Sequence, residues 1–233
     1  MEYRFSDKIA SLKPSAIREV LKATSVPGMI PFAAGNPAPE VQEIAADILK
    51  NRPIDALQYG VTEGYPELIS LIKTRMKSKY GIGRDFDSII ITSGAQQVMD
   101  LSTKVLCNEG DVVICESPSF IGSLNCFRSY NAKLVGVPVD ADGMNIEALE
   151  KALDENPNAK MIYTIPNFQN PAGVTMSLKK RRKLYELAKA HNVMILEDNP
   201  YGDLRVAGED VPNIKSFDED GIVIYSGSFS KIL

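Results

Sequence analysis

From about residue 65 helical and strand-like segments alternate along the chain, and this rhythm limits the fold more than any other feature. The spacing predicts helices over 65–79, 95–107, 119–129, 145–155 and 177–191. Short, continuous, β-branched runs mark strands at 88–91, 112–115, 133–137, 161–164, 193–196 and 222–225. Apolar strands of this kind are buried on both faces, and helices between them supply the cover. The expected class is α/β, a mostly parallel sheet with helices on both faces. The first sixty or so residues lack the rhythm. Short helices are expected around 15–23 and 40–50, separated by the turn-forming Pro27-Gly28 and Gly35-Asn36-Pro37. The chain therefore divides into an N-terminal segment over 1–60 and a large domain over 61–233.

Composition narrows the function. A net charge of −4 argues against nucleic acid or an anionic membrane surface as partner. No apolar stretch is long enough to span a bilayer, and the charged start, Met1 to Lys8, lacks the apolar core of a signal peptide. Cys107, Cys115 and Cys126 are odd in number and form no C-x-x-C pair. They read as reduced, mostly buried thiols of a cytoplasmic protein. His191 is the only histidine, which argues against His-based metal sites and Ser-His-Asp triads, and no metal is expected.

In parallel sheets ligands bind beyond the carboxyl ends of the strands. Polar and reactive groups gather at those positions. Gly94-Ala95-Gln96 opens a helix directly after a strand, where free N–H groups and the helix dipole favour phosphate. Alone it is an ordinary β–α turn. Phe120, in a Pro-Ser-Phe turn, can stack on a planar ring or serve the core. Asn170-Pro171-x-Gly173 reads as a tight turn whose amide can reach a ring oxygen. Asp198 follows apolar strand residues and is expected to be desolvated, so it needs a cation or donors. A pyridinium nitrogen suits it, as would a helix cap or salt bridge. Tyr201 lies three residues on. The basic run 179–183 reads as a solvated helix face.

The chain closes with Ser226-Gly227-Ser228-Phe229-Ser230-Lys231-Ile232-Leu233. Closely spaced serines before a lysine suit a phosphate cup beside an imine-forming amine. Pyridoxal 5′-phosphate (PLP) carries both the phosphate and the aldehyde. Such a lysine needs a lowered pKa.

These motifs, in this order, resemble the fold-type-I PLP enzymes of the class I/II aminotransferases. The resemblance is strongest to the branch with 2-aminoadipate and kynurenine aminotransferases and MocR-like domains. Leu57-Gln58-Tyr59-Gly60, Phe168-Gln169-Asn170-Pro171 and Glu197-Asp198-Asn199-Pro200-Tyr201-Gly202 carry that finer likeness. The resemblance implies that Lys231 forms the Schiff base and later moves the α-proton, and that Asp198 pairs with the ring nitrogen. Asn170 and Tyr201 would bind the ring hydroxyl oxygen, and Phe120 would stack on the ring. Gly94, Ala95, Gln96, Ser228 and Ser230 would hold the phosphate. Tyr59 would reach the phosphate of a second subunit, which implies a homodimer. Arg18 and Gly35 would meet the substrate together with Asn170. Pro118 and Pro171 match positions that often follow cis peptides.

The implied activity is transfer of an amino group between an L-amino acid and a 2-oxo acid. A PLP-dependent lyase or decarboxylase of the same fold, or a PLP-sensing regulatory domain, are the alternatives. The family's C-terminal small domain is expected to be missing here. So are an arginine completing the phosphate cup and another clamping the substrate α-carboxylate, both beyond Leu233. The chain is thus expected to be part of a longer one.

Overall fold

The computed structural model describes residues 6–10, 26–30, 35, 37–51 and 58–233. The chain forms two compact units, Met1–Gln58 with Phe229–Leu233, and Tyr59–Ser228. Phe229–Leu233 thus pack with the N-terminal unit.

In the first unit the described elements are α1 (Asp7–Ala10) and α2 (Pro39–Asn51). Glu40 in the first turn of α2 and Lys50 in the last both complement the helix dipole. The helix expected at 15–23, and Arg18 within it, lie outside the described residues.

The second unit contains α3 (Pro66–Tyr80), α4 (Ala95–Leu106), β1 (Val112–Ser117), α5 (Ile121–Ser129), β2 (Lys133–Asp140) and β3 (Gly143–Met144). It continues with α6 (Ile146–Glu155), β4 (Ala159–Thr164), α7 (Leu178–Ala190), β5 (Met194–Asn199) and β6 (Val223–Gly227). Local chemistry sets several of these limits. Asn145 caps α6 by accepting the Ala148 amide at 2.8 Å, and Ser177 caps α7 through the Lys180 amide. Gly81 ends α3 at φ +65°, which glycine adopts without strain.

The sheet order is β3-β2-β1-β4-β5-β6. Every pairing is parallel except the short β2–β3 contact. The chain winds outward from β1 to β2 and β3, then crosses back to lay β4 on the other side of β1. That reversal is the topological switch point at which such sheets bind ligands.

Strand periodicity divides the core between two faces. Ile114, Ile162 and Ile195 pack on one side with Leu149 and Leu153 of α6 and Leu184 and Leu187 of α7. Val113, Met161, Tyr163 and Leu196 pack on the other with Met99 of α4 and Phe127 of α5. Helices thus cover both faces, as the runs of apolar strand residues require.

Three expectations need correction. Residues 88–91 form no strand: the sheet ends at β3 and β6, and among the described residues no strand lies beside this segment. Its Ile91 amide donates instead to the Glu63 carbonyl at 2.7 Å, and Ile90 is exposed. An apolar β-branched run becomes a strand only where a neighbour accepts its backbone bonds. The basic run on α7 is not wholly solvated. Arg181 is fully buried and Lys180 pairs with Asp140 at 2.7 Å and Asp142 at 2.8 Å. Asp198 does not follow β5 but lies within it, paired in register with Ser226 of β6.

Candidate active site

The carboxyl ends of β1, β4 and β5 meet at one edge, and buried polar side chains concentrate there. Asp198 leads them. Its position two residues beyond Leu196 puts it on the face that α4 and α5 cover. The side chain is 5% exposed. Burial pushes its carboxyl up to about 6, and hydrogen bonding from Tyr163 and the nearness of Ser226 oppose that rise. Oδ2 accepts the Tyr163 hydroxyl at 2.9 Å. Oδ1 is enclosed and makes no hydrogen bond of ordinary geometry among the described residues, although the buried Ser226 hydroxyl, likewise unpartnered, lies near the carboxylate. A buried carboxylate oxygen without a donor carries a desolvation cost of about 1–3 kcal/mol or more. A ligand N–H would remove that cost.

Asn170 and Tyr201 come from different strand-end loops and meet. The Asn170 amide donates to the Tyr201 hydroxyl at 3.2 Å. Phe168, Gln169, Asn170, Pro171, Gly173, Tyr201 and Leu204 line an open cavity of about 370 Å³. The Ser117–Pro118 and Asn170–Pro171 bonds are both cis, as the resemblance implies.

Gly94 holds φ +77° and caps α4, leaving Ala95 and Gln96 in the first turn. Their amides have no carbonyl four residues earlier to bond, so they are available to an anion. Phe120 precedes α5 and packs, with Ala95 and Tyr201, against the same core as Tyr163. A Cβ on Gly122 would sit 2.6 Å from the Phe120 ring, so glycine is what lets the ring lie where it does. Gln96 Nε2 donates to the Gly122 carbonyl at 3.4 Å and ties α4 to α5.

Gly94, Ala95, Gln96, Phe120, Asn170, Asp198, Tyr201, Tyr59 and Ser228 all belong to the second unit. Tyr59 is fully exposed. Lys231, Ser230 and Gly35 belong to the first. There the Lys231 ammonium donates to the Gly35 carbonyl at 2.8 Å, joining two residues that the sequence reading assigned to one site.

Sequence reasoning passed over the groups that hold these loops. Glu116, buried at the end of β1, accepts Thr164 Oγ1 at 2.7 Å, the Ile165 amide at 3.1 Å and Gln169 Nε2 at 3.1 Å. It thereby clamps the loop that carries Asn170. Burial raises its carboxyl to about 7, and the Asp198 charge adds to the rise. Asn199 Oδ1 accepts Asn167 Nδ2 at 2.9 Å and the Gly202 amide at 3.1 Å, which shapes the turn bearing Tyr201. Arg181 bonds the Met176, Pro166, Val211 and Pro212 carbonyls and Asn167 Oδ1 at 2.7–3.2 Å. The one signal for Glu116 was its place directly after an apolar strand run.

This donor set fits PLP. Asp198 Oδ1 lacks the donor that a protonated ring nitrogen supplies, Asn170 and Tyr201 form a polar pair, and Ala95 and Gln96 offer amides to a phosphate. Comparison with known proteins agrees. The sequence model of the family described as aminotransferase class I and II matches residues 27–233. The chain belongs to that family. Aromatic-amino-acid aminotransferase 1 of Thermococcus litoralis is 43% identical over 242 aligned residues, covering 100% of this chain and 58% of that protein. The 2-aminoadipate transaminase of Thermus thermophilus is 35% identical over 238, covering 98% and 58%. The solved structure of Pyrococcus horikoshii kynurenine aminotransferase, in complex with PMP, superposes with a TM-score of 0.89 at 39% identity, covering 98% of this chain and 59% of that one. The chain thus spans a little under three fifths of the length of these relatives.

Proposed function

We propose that the full-length protein is a PLP-dependent aminotransferase that moves an amino group between an L-amino acid and a 2-oxo acid. The enclosed Asp198 Oδ1, without a hydrogen bond of ordinary geometry among the described residues, together with the Asn170–Tyr201 pair in a chain of this family, is the observation that carries the reading. The relatives' names favour aromatic or dicarboxylic amino acids as donors, and an Arg18 guanidinium suits either an acidic or a variable side chain. Among the described residues no helix is long and apolar enough to cross a membrane. A cytoplasmic homodimer sharing its two sites through Tyr59 completes the reading. The domain assignment follows it: residues 1–60 as a substrate-covering arm and 61–233 as the cofactor-binding domain.

Bound PLP supplies the electron sink that makes the substrate Cα proton removable and carries the amino group between half-reactions. The chain's own residues do the rest. Asp198, as carboxylate, holds the proton on the ring nitrogen. Asn170 and Tyr201 hydrogen-bond the ring hydroxyl oxygen, and Phe120 covers a ring face. The Ala95 and Gln96 amides, with Gly94 shaping their approach and Ser228 and Ser230 beside them, hold the phosphate. Lys231 tethers the cofactor through its amine. When free of that tether, the Lys231 amine would serve as the general base that takes the substrate Cα proton.

The test is single-turnover analysis of the full-length holoenzyme with an amino acid alone. Stoichiometric pyridoxamine phosphate and the matching 2-oxo acid are expected, with the PLP form restored by a second 2-oxo acid. Release of pyruvate and ammonia without pyridoxamine phosphate would replace this reading with that of a lyase. Lys231→Ala should abolish turnover and borohydride labelling together.

A further inference from the structure

Behind Asp198 lies a hydrogen-bond chain that the proposed reaction does not itself require. Tyr163 on β4 is fully buried, and its hydroxyl donates to Asp198 Oδ2 at 2.9 Å. The same hydroxyl accepts from Ser123 Oγ of α5, also at 2.9 Å, and Ser123 is 1% exposed. The direction is forced. An ionised carboxylate can only accept, so the tyrosine proton points to Asp198 and the serine proton points to the tyrosine. Two consequences follow for the carboxylate. Its rotation is pinned, because Oδ2 is bound to a side chain that is itself held from behind. Oδ1 is left as the oxygen without a hydrogen bond of ordinary geometry among the described residues.

Tyr163 is suited to hold that position. Tyr163 pairs in register with Leu196, and Asp198 is the next residue on the same face of the neighbouring strand. The ring packs edge-on against Phe127, with centroids 5.3 Å apart and planes at 72°. A phenol whose ring is fixed by packing places its hydroxyl with little rotational freedom. Burial and the Asp198 charge raise its pKa well above the ordinary tyrosine value, so it remains a donor.

We propose that Tyr163, backed by Ser123, is a positioning residue that aims Asp198 Oδ1 at the cofactor ring nitrogen and keeps the shared proton on the ring. The inference rests on the PLP reading. A hydrogen bond to a carboxylate stabilises its charged form. Without the tyrosine hydroxyl Asp198 becomes more basic, the proton shifts from ring nitrogen to carboxyl, and the ring becomes a poorer electron sink.

The experiment loads the full-length protein with ¹⁵N-ring-labelled PLP and records the ring-nitrogen chemical shift in wild type, Tyr163→Phe and Ser123→Ala. Tyr163→Phe keeps the ring packing and removes only the hydroxyl. Its signal should move from the pyridinium toward the neutral-pyridine range. Turnover should fall on the order of 10-fold, with KM for the amino acid within about 2-fold. Ser123→Ala should move the signal the same way by less. An unchanged shift and unchanged kcat in Tyr163→Phe would reduce the tyrosine to core packing and overturn the proposal. If Tyr163→Phe fails to fold or to load, Ser123→Ala decides: a shift toward neutral pyridine supports the proposal, and an unmoved signal overturns it. Wild-type protein that takes up no labelled cofactor would instead sink the PLP reading.

Discussion

Asn170 and Tyr201, separated by 31 positions, share a hydrogen bond of 3.2 Å at the carboxyl edge of the sheet. Neither loop reaches that geometry unaided. Glu116 holds the first through Gln169 and the Ile165 amide, and Asn199 holds the second through the Gly202 amide. The polar pair is thus the product of buried groups behind it, and each such group makes a separate prediction.

Asp198→Asn should trade function for stability. The folded carboxyl titrates near 6 against an ordinary value of 3.8. Above pH 6 both states are ionised and only the folded one bears the desolvation. That cost is on the order of 3 kcal/mol. The cofactor-free variant should therefore resist denaturant better than wild type at pH 8, and the difference should vanish below pH 4. Its turnover should drop on the order of 100-fold or more, since a neutral amide cannot hold the ring proton. Equal denaturation midpoints at pH 8 would show that Asp198 is not buried at a cost.

Glu116 makes a second pH-dependent contribution. Its carboxyl lies near 7 in the folded protein and 4.5 otherwise. Between those values the folded state holds more protons than the unfolded one, so stability falls as pH rises, by about 3 kcal/mol in all. Glu116→Gln can still accept from Ile165 and Gln169 while donating to Thr164. It should flatten the stability slope between pH 4.5 and 7, read by urea denaturation at several pH values.

Arg181→Met should be severely destabilising. It removes the guanidinium donor from the buried Met176 carbonyl and Asn167 amide oxygen, and unties the Pro166, Val211 and Pro212 carbonyls that it joins. The expected loss is about 3–5 kcal/mol. Arg181→Lys should recover little, because three ammonium donors cannot span the acceptors that a planar guanidinium reaches. Thermal unfolding of the two variants decides the point.

Gly202→Ala should disturb Tyr201 from a distance. The added Cβ would lie 2.6 Å from Asn199 Oδ1. That side chain cannot swing away freely, since Asn167 and Tyr225 hold it at 2.9 Å each. A loss of about 1–3 kcal/mol is expected, together with weaker PLP retention measured by equilibrium dialysis. Unaltered retention would mean that this turn does not set the Tyr201 position.

The α/β class was legible because strand and helix periodicities differ and each apolar run predicts burial. Asp198 was legible as a desolvated acid because Met194 to Leu196 precede it in a strand. Tyr163 was not. Alternation says that it shares a face with Met161, but nothing local says that Ser123 and Asp198 face it. Arg181 was misread for the same reason: Lys179 to Lys183 look alike in one dimension, and helix phase against the sheet decides which of them is enclosed.

The sequence by itself determined the α/β class, the family and the identities of the chemical groups, because these depend on local pattern and on motifs in register along the chain. Only the tertiary structure decided which oxygen of Asp198 is left without a hydrogen bond of ordinary geometry among the described residues, which acid clamps the Asn170 loop and that residues 88–91 form no strand. Those outcomes depend on partners far away in the chain. A buried polar group is defined by what satisfies it, and that is a property of packing, not of neighbours in sequence.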